Sequence, residues 1–191
     1  MGRVGKMAVL ATQYALEDAG LINDDVLQSG RTGVAYGSAT GSSDAALEFF
    51  GLLEDQSMSR INTTTYIRMM SHTAAVNIGV IFGTQGRMYT TSSACTAGSQ
   101  GIGYAYEAIR CGQQDVMIAG GAEELCPTQA AVFDTILAAS LRNESPKSSP
   151  RPFDKDRDGL VLGEGATTLI LEDYERAKKR GAHILAEIIG F

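Results

Sequence analysis

The sequence predicts an α/β fold built on a mixed, mainly parallel sheet with helices on both faces, and three observations carry that prediction. Short apolar or β-branched runs alternate with segments of helical period along the whole chain. The run 115–119 is almost continuously apolar, as a strand covered on both faces is. Glycines stand at most of the junctions. Strands separated by helices favour parallel pairing, because returning to the same sheet in the same direction takes a long crossover.

In chain order, Met7, Leu10, Ala11, Tyr14 and Ala15 recur at helical spacing, so 7–19 is a helix stopped by Gly20. A short buried strand, 32–36, runs into the small-residue loop 37–43 and a second helix carrying Ala45, Leu47, Phe49 and Leu53. Residues 56–65 are polar and irregular, and 74–82 is an apolar helix stopped by Gly83. A strand over 87–93 passes at once into Cys95, which opens a helix reaching Arg110. Gly98, Gly101 and Gly103 lower the propensity of that helix by up to about 1 kcal/mol each, so another backbone must come close there. The strand 115–119 is closed by Gly120-Gly121, 129–139 is helical, and 142–151 is a polar loop with two prolines. Strands at 160–162 and 166–171, a charged helix at 173–180 and a last strand at 184–189 complete the chain.

Composition narrows the function. With 44% apolar and 20% charged residues the chain is expected to fold around a core. A net charge of −6 with no Lys/Arg run disfavours nucleic acid. No stretch approaches the roughly 18 to 20 apolar residues of a membrane span, and the first residues lack the order of a signal peptide, so a cytoplasmic location is expected. Three cysteines, Cys95, Cys111 and Cys126, without a CxxC or Cys/His cluster, indicate neither a disulfide framework nor a metal site.

Cys95 has the position that chemistry would use. The first turn of a helix presents unpaired backbone N–H groups and the positive end of the macrodipole, which favour a thiolate nucleophile and receive a developing oxyanion. The alternative is a cysteine that simply packs, as most free cysteines do.

The residues around it decide between the two. Ser92-Ser-Ala-Cys95-Thr-Ala-Gly98, then Gly101-Ile-Gly103, then Asp115-Val-Met-Ile-Ala-Gly-Gly-Ala-Glu123, resemble the nucleophile region of β-ketoacyl-acyl-carrier-protein synthases. Arg151-Pro-Phe-Asp154-Lys-Asp-Arg157-Asp158-Gly159-Leu-Val-Leu-Gly163-Glu-Gly165 and Lys179-Arg-Gly-Ala-His183 are similar to later signatures of that family, and Gly33-Val-Ala-Tyr-Gly37-Ser to an earlier one.

The resemblance implies a thiolase-like fold, of which this chain is the N-terminal, nucleophile half. It implies decarboxylative condensation of a Cys95-bound acyl chain with malonyl-carrier protein, and no cofactor. The two histidines and the lysine that serve decarboxylation belong to the family's second half, absent here, as are its first strands. Chain-length factors keep the fold without the cysteine, so Cys95 favours a condensing enzyme. The resemblance further implies that Phe133 and Thr40 line the acyl site and that acyl carrier protein docks on Arg3, Lys6, Arg68 and Arg142. It also implies that the strand 88–92 pairs across the two-fold axis of a homodimer. Two rivals stay open: another thiolase-fold enzyme acting on coenzyme A thioesters, and a non-catalytic subunit that binds carrier protein.

Other features are set aside. His72 and His183 fall where structural residues are expected. Asp154, Asp156 and Asp158 have the spacing of a calcium loop, but its twelfth position is Gly165, so the bidentate ligand is missing. Asn62 and Asn143 fit the glycosylation sequon, which has no meaning without secretion.

Overall fold

The protein is described by a computed structural model of residues 1–191. Two compact units are distinguishable, one formed by Met1–Glu123 with Gly165–Phe191, the other by Glu124–Glu164.

The first unit contains a four-stranded sheet in the order β2-β1-β3-β4, with β1 at Thr32–Gly37, β2 at Met88–Thr91, β3 at Val116–Glu123 and β4 at Gly165–Glu172. β1 runs parallel to both β2 and β3, and β4 closes the other edge antiparallel to β3. The sheet is therefore mixed, as expected.

Side chains alternate between its two faces with the period of two that strands impose. Val34, Tyr36, Val116 and Ile118 face α1 (Arg3–Asp18) and α4 (Thr73–Phe82), forming a core with Val4, Ala8, Leu16, Ala74, Ala75 and Ile78. Full burial of each large aliphatic chain here contributes about 1.5–3 kcal/mol. Ala35, Met117 and Ala119 face α5 (Ala97–Arg110), which supplies Ala105 and Ala108. α2 (Ser43–Asp55) and α3 (Thr65–Met69) pack on each other, with the Phe49 and Tyr66 rings 5.7 Å apart.

Small residues on the α5 face have a purpose. A Cβ at Gly101 would lie 2.7 Å from the Ala35 carbonyl oxygen, and one at Gly37 an equal 2.7 Å from the Ala97 carbonyl oxygen. Helix and sheet thus meet backbone to backbone, as the glycine content of α5 predicts.

Several expectations need correction. Gly120-Gly121 does not end β3 but lies within it: a Cβ at Gly120 would meet the Thr167 carbonyl oxygen at 2.0 Å and the Tyr36 ring at 3.0 Å. These glycines leave room for a neighbouring strand and a ring rather than for a turn. The predicted strand at 184–189 is irregular, and Leu185 and Ile189 are exposed. A strand exists only by bonding a neighbour, and this segment has no ladder. The predicted strand at 160–162 reduces to one bridge between Leu160 and Ala139. The segment 56–65 is irregular only up to α3, which begins at Thr65.

The second unit contains α6 (Pro127–Thr135), shorter than the predicted 129–139 at its C-terminal end, and a loop region held by polar contacts. There the Arg142 guanidinium pairs with Asp158 at 2.9 Å, and Asp158 accepts hydrogen bonds from the Ser140 hydroxyl and the Leu141 N–H. Those donors hold the Asp158 carboxyl below its ordinary pKa, the Ser140 hydroxyl first among them. No helix is long and apolar enough to cross a membrane, and no group of His, Cys, Asp and Glu forms a metal site.

Candidate active site around Cys95

Cys95 lies at the C-terminal end of the parallel strands, where the connections of open α/β sheets place their ligands. β2 ends at Thr91, a 3-10 turn spans Ala94–Thr96, and α5 starts at Ala97. Cys95 is thus in the turn that leads into the helix, two residues before α5 begins at Ala97, rather than in the first α-helical turn as expected. The residue is exposed. Within this chain Cys95 belongs to neither buried core cluster.

The turn is stapled from both sides. The Thr91 hydroxyl donates to the Ala97 carbonyl oxygen at 2.7 Å, and both residues are buried. Thr96 donates its hydroxyl to the Ser93 carbonyl oxygen at 2.9 Å, and Ser99 donates to the Thr96 carbonyl oxygen at 3.0 Å. Thr96 occupies the N-cap of α5 yet makes no side-chain cap to the helix, because its hydroxyl is turned back toward Ser93. The preceding turn already uses two of the amides at this junction, the Ala97 N–H donating to the Ala94 carbonyl oxygen and the Thr96 N–H to the Ser93 carbonyl oxygen at 3.3 Å. Ala94 has φ of 52°, the left-handed region that costs a non-glycine residue roughly 1–2 kcal/mol. The strained residue directly precedes the candidate nucleophile.

The other half of the site surface is the loop after β1. Gly37 pairs with Thr91, and the Ser38 N–H donates to the Thr91 carbonyl oxygen at 3.2 Å. The loop then runs under the control of Glu123, the last residue of β3. Its carboxylate accepts from the Ala39 N–H at 2.5 Å, the Thr40 hydroxyl at 2.7 Å and the Ser38 hydroxyl at 3.4 Å. Sequence reasoning missed Glu123, whose partners lie more than 80 residues earlier.

The remaining predicted residues are placed as follows. Thr40 is exposed, in the same unit as Cys95, with its hydroxyl on Glu123. Phe133 is half-buried on α6, in the 124–164 unit. Arg3 and Lys6 are exposed on α1. Arg68 pairs with Glu48 at 2.6 Å and donates to Thr65, with its side chain only 19% exposed, and Arg142 is held by Asp158. Those two guanidiniums are committed to internal pairs. His72 caps α4 through its backbone carbonyl, which accepts from Val76, and His183 is exposed in the irregular C-terminal segment.

The family model described as "Beta-ketoacyl synthase, N-terminal domain" matches residues 1–177. The chain belongs to the β-ketoacyl synthase family. Among its relatives, a crystal structure of a β-ketoacyl synthase from Burkholderia phymatum STM815 is 54% identical and superposes with a TM-score of 0.96, over all of this chain and 47% of that one. The 3-oxoacyl-[acyl-carrier-protein] synthase 2 of Vibrio cholerae is 40% identical over 96% of this chain and 44% of its own length. A ketosynthase of a type II polyketide synthase, solved in complex with its acyl-carrier protein, is 32% identical with a TM-score of 0.82, over 95% of this chain and 46% of that one. The chain thus spans a little under half the length of these relatives. The fold is the thiolase-like fold of ketosynthases, as the resemblance implies.

Proposed function

We propose that this chain carries the nucleophile of a 3-oxoacyl-[acyl-carrier-protein] synthase, and that Cys95 is that nucleophile. The observation that carries the reading is an exposed cysteine on a stapled turn between the end of a parallel strand and the N-terminus of a fourteen-residue helix.

In the first half-reaction the Cys95 thiolate attacks the carbonyl carbon of an acyl thioester on the carrier protein's pantetheine arm. The C–S bond to pantetheine breaks, the pantetheine thiolate leaves and takes a proton from solvent, and the acyl group remains as a thioester on Cys95. The backbone N–H of Cys95 is proposed as half of the oxyanion hole, stabilising the negative charge that develops on the carbonyl oxygen as the thiolate attacks. In the second half-reaction the malonyl thioester loses carbon dioxide, and the resulting carbanion attacks the Cys95 thioester and releases the thiolate. Thr40, on the loop that starts between Thr91 and α5, is proposed to line the acyl site, and Phe133, on α6, is proposed as an acyl contact on the family resemblance alone.

The proposed partner is acyl carrier protein, supported by the polyketide ketosynthase solved with its carrier protein. The candidate docking cations are Arg3 and Lys6, exposed on α1, and Arg68 and Arg142, which also pair with Glu48 and Asp158. A homodimer through β2 fits its position as a sheet edge with Met88 exposed. A cytoplasmic location fits the two exposed free thiols, Cys95 and Cys111.

The test is substitution of Cys95 by alanine and by serine in the active enzyme. Condensation from acyl-carrier donors falls by at least about a thousandfold with either variant. Full turnover by Cys95→Ala ends the assignment.

A further inference from the structure

We infer that Gln114 locks the register of β2 and is thereby a positioning residue for the turn that carries Cys95. The positioning part rests on the acyl-transfer reading above.

β2 has little of its own to fix its register. It is four residues long, it has a neighbour on one side only within the chain, and of its side chains Thr91 alone is buried. A strand with so few buried side chains specifies its pairing weakly, and a slip of one residue turns every side chain to the other face. Such a slip would take the Thr91 hydroxyl away from the Ala97 carbonyl oxygen and undo the bond that closes the Cys95 turn.

The lock sits at the opposite end of the strand. In a regular parallel ladder the Arg87 N–H would donate to the Thr32 carbonyl oxygen, since the Arg87 carbonyl oxygen accepts from the Val34 N–H. The Gly86 N–H takes that oxygen instead, at 2.9 Å, and the Arg87 N–H donates to the Gln114 side-chain oxygen at 3.3 Å. Gln114 is 5% exposed, and its amide nitrogen donates to the Gln113 carbonyl oxygen at 2.6 Å and the Gly30 carbonyl oxygen at 3.5 Å. Those two bonds use both amide hydrogens, so the oxygen is the atom turned to Arg87. One side chain thus ties together the entries of β1, β2 and β3. Glycine makes the space: a Cβ at Gly86 would overlap the Gln114 oxygen, and one at Gly33 would lie 3.0 Å from it. A shifted β2 carries the Arg87 N–H away and leaves a buried oxygen without its donor.

The experiment compares wild type with Gln114→Met, Gln114→Leu, Thr91→Val and the double variant Gln114→Met/Thr91→Val in the active enzyme. Residue-resolved hydrogen exchange follows the Arg87 amide, and the rate of acyl transfer to Cys95 is measured at saturating acyl-carrier donor. In wild type the Arg87 amide exchanges at least about a hundredfold more slowly than an unstructured amide, although it lies outside the ladder. Gln114→Met and Gln114→Leu speed that exchange by at least about tenfold. Both slow acyl transfer by about tenfold, as a displaced turn does, while the donor concentration at half-maximal rate stays within about twofold. Thr91 lies about 13 Å from Arg87, four residues at about 3.3 Å each, and independent sites so far apart multiply their effects on a rate. The double variant is instead no slower than the slower single one, because both substitutions release the same turn.

An unprotected Arg87 amide in wild type, or exchange unchanged by either Gln114 variant, overturns the lock while the acyl-transfer reading stands. Faster exchange with unchanged acyl transfer, or effects that multiply in the double variant, overturns the positioning role. If both replacements unfold the protein, the wild-type Arg87 amide decides the lock, protected in its favour and unprotected against it. A wild type that takes no acyl group at all overturns the acyl-transfer reading, and the Arg87 amide still decides whether Gln114 holds the strand.

Discussion

Thr91, the last residue of β2, donates its hydroxyl to the carbonyl oxygen of Ala97, the first residue of α5, at 2.7 Å in a buried setting. This bond closes the five residues between strand and helix, so Cys95 is held by a short loop with both ends tied rather than by a flexible connection.

Thr91→Val keeps the shape and deletes the donor. It is expected to cost about 1–2 kcal/mol of stability and to slow alkylation of Cys95, with Thr91→Ser restoring both. Chemical denaturation and iodoacetamide kinetics on the three proteins check this.

Ala94 stores strain beside the proposed nucleophile. With φ at 52°, replacing it by glycine removes the Cβ conflict and is expected to raise stability by up to about 1 kcal/mol, while a β-branched valine lowers it by at least about 1 kcal/mol. Acyl loading of Cys95 in Ala94→Gly is expected to be slower, because the turn is less restrained. Urea titration and a loading time course test the two halves.

At Gly101 two effects compete. Alanine improves helix propensity by about 1 kcal/mol, yet its Cβ would stand 2.7 Å from the Ala35 carbonyl oxygen, a backbone atom that cannot rotate away. Overpacking costs about 1–3 kcal/mol and wins, so Gly101→Ala is expected to destabilise. A higher melting temperature for that variant is the contrary outcome.

Tyr36 links stability to alkaline pH. Burial pushes its hydroxyl up to about 12, against a smaller lowering by its bond with Thr168. An unfolded tyrosine ionises near 10, so the folded state binds more protons between those values. This contribution to stability is intact below about pH 10 and declines by about 1.4 kcal/mol per pH unit up to about pH 12. Tyr36→Phe is less stable at neutral pH, but its stability falls less steeply across that interval. Urea titrations of both proteins from pH 9 to 11.5 measure the difference in slope.

The four sheet strands, the α5 glycines and the strand-to-helix setting of Cys95 were legible because each is a local pattern: short apolar runs, small residues at helical spacing, a cysteine after a β-rich run. Ala94 was not, since alanine carries no signal for left-handed backbone. Glu123 was not, because it closes an apolar strand and its partners are distant in sequence. Arg68 and Arg142 read as surface cations until Glu48 and Asp158 were found on them. The 184–189 run has strand composition, but composition does not supply a neighbour to bond.

The central claim is that Cys95 accepts an acyl chain. Incubating the active enzyme with a carrier protein bearing a labelled acyl chain, without malonyl donor, and mapping the adduct by peptide mass tests it directly. The account predicts one hydroxylamine-labile acyl group on the peptide containing Cys95, absent from Cys95→Ala. An enzyme that condenses normally while its acyl group maps elsewhere contradicts it.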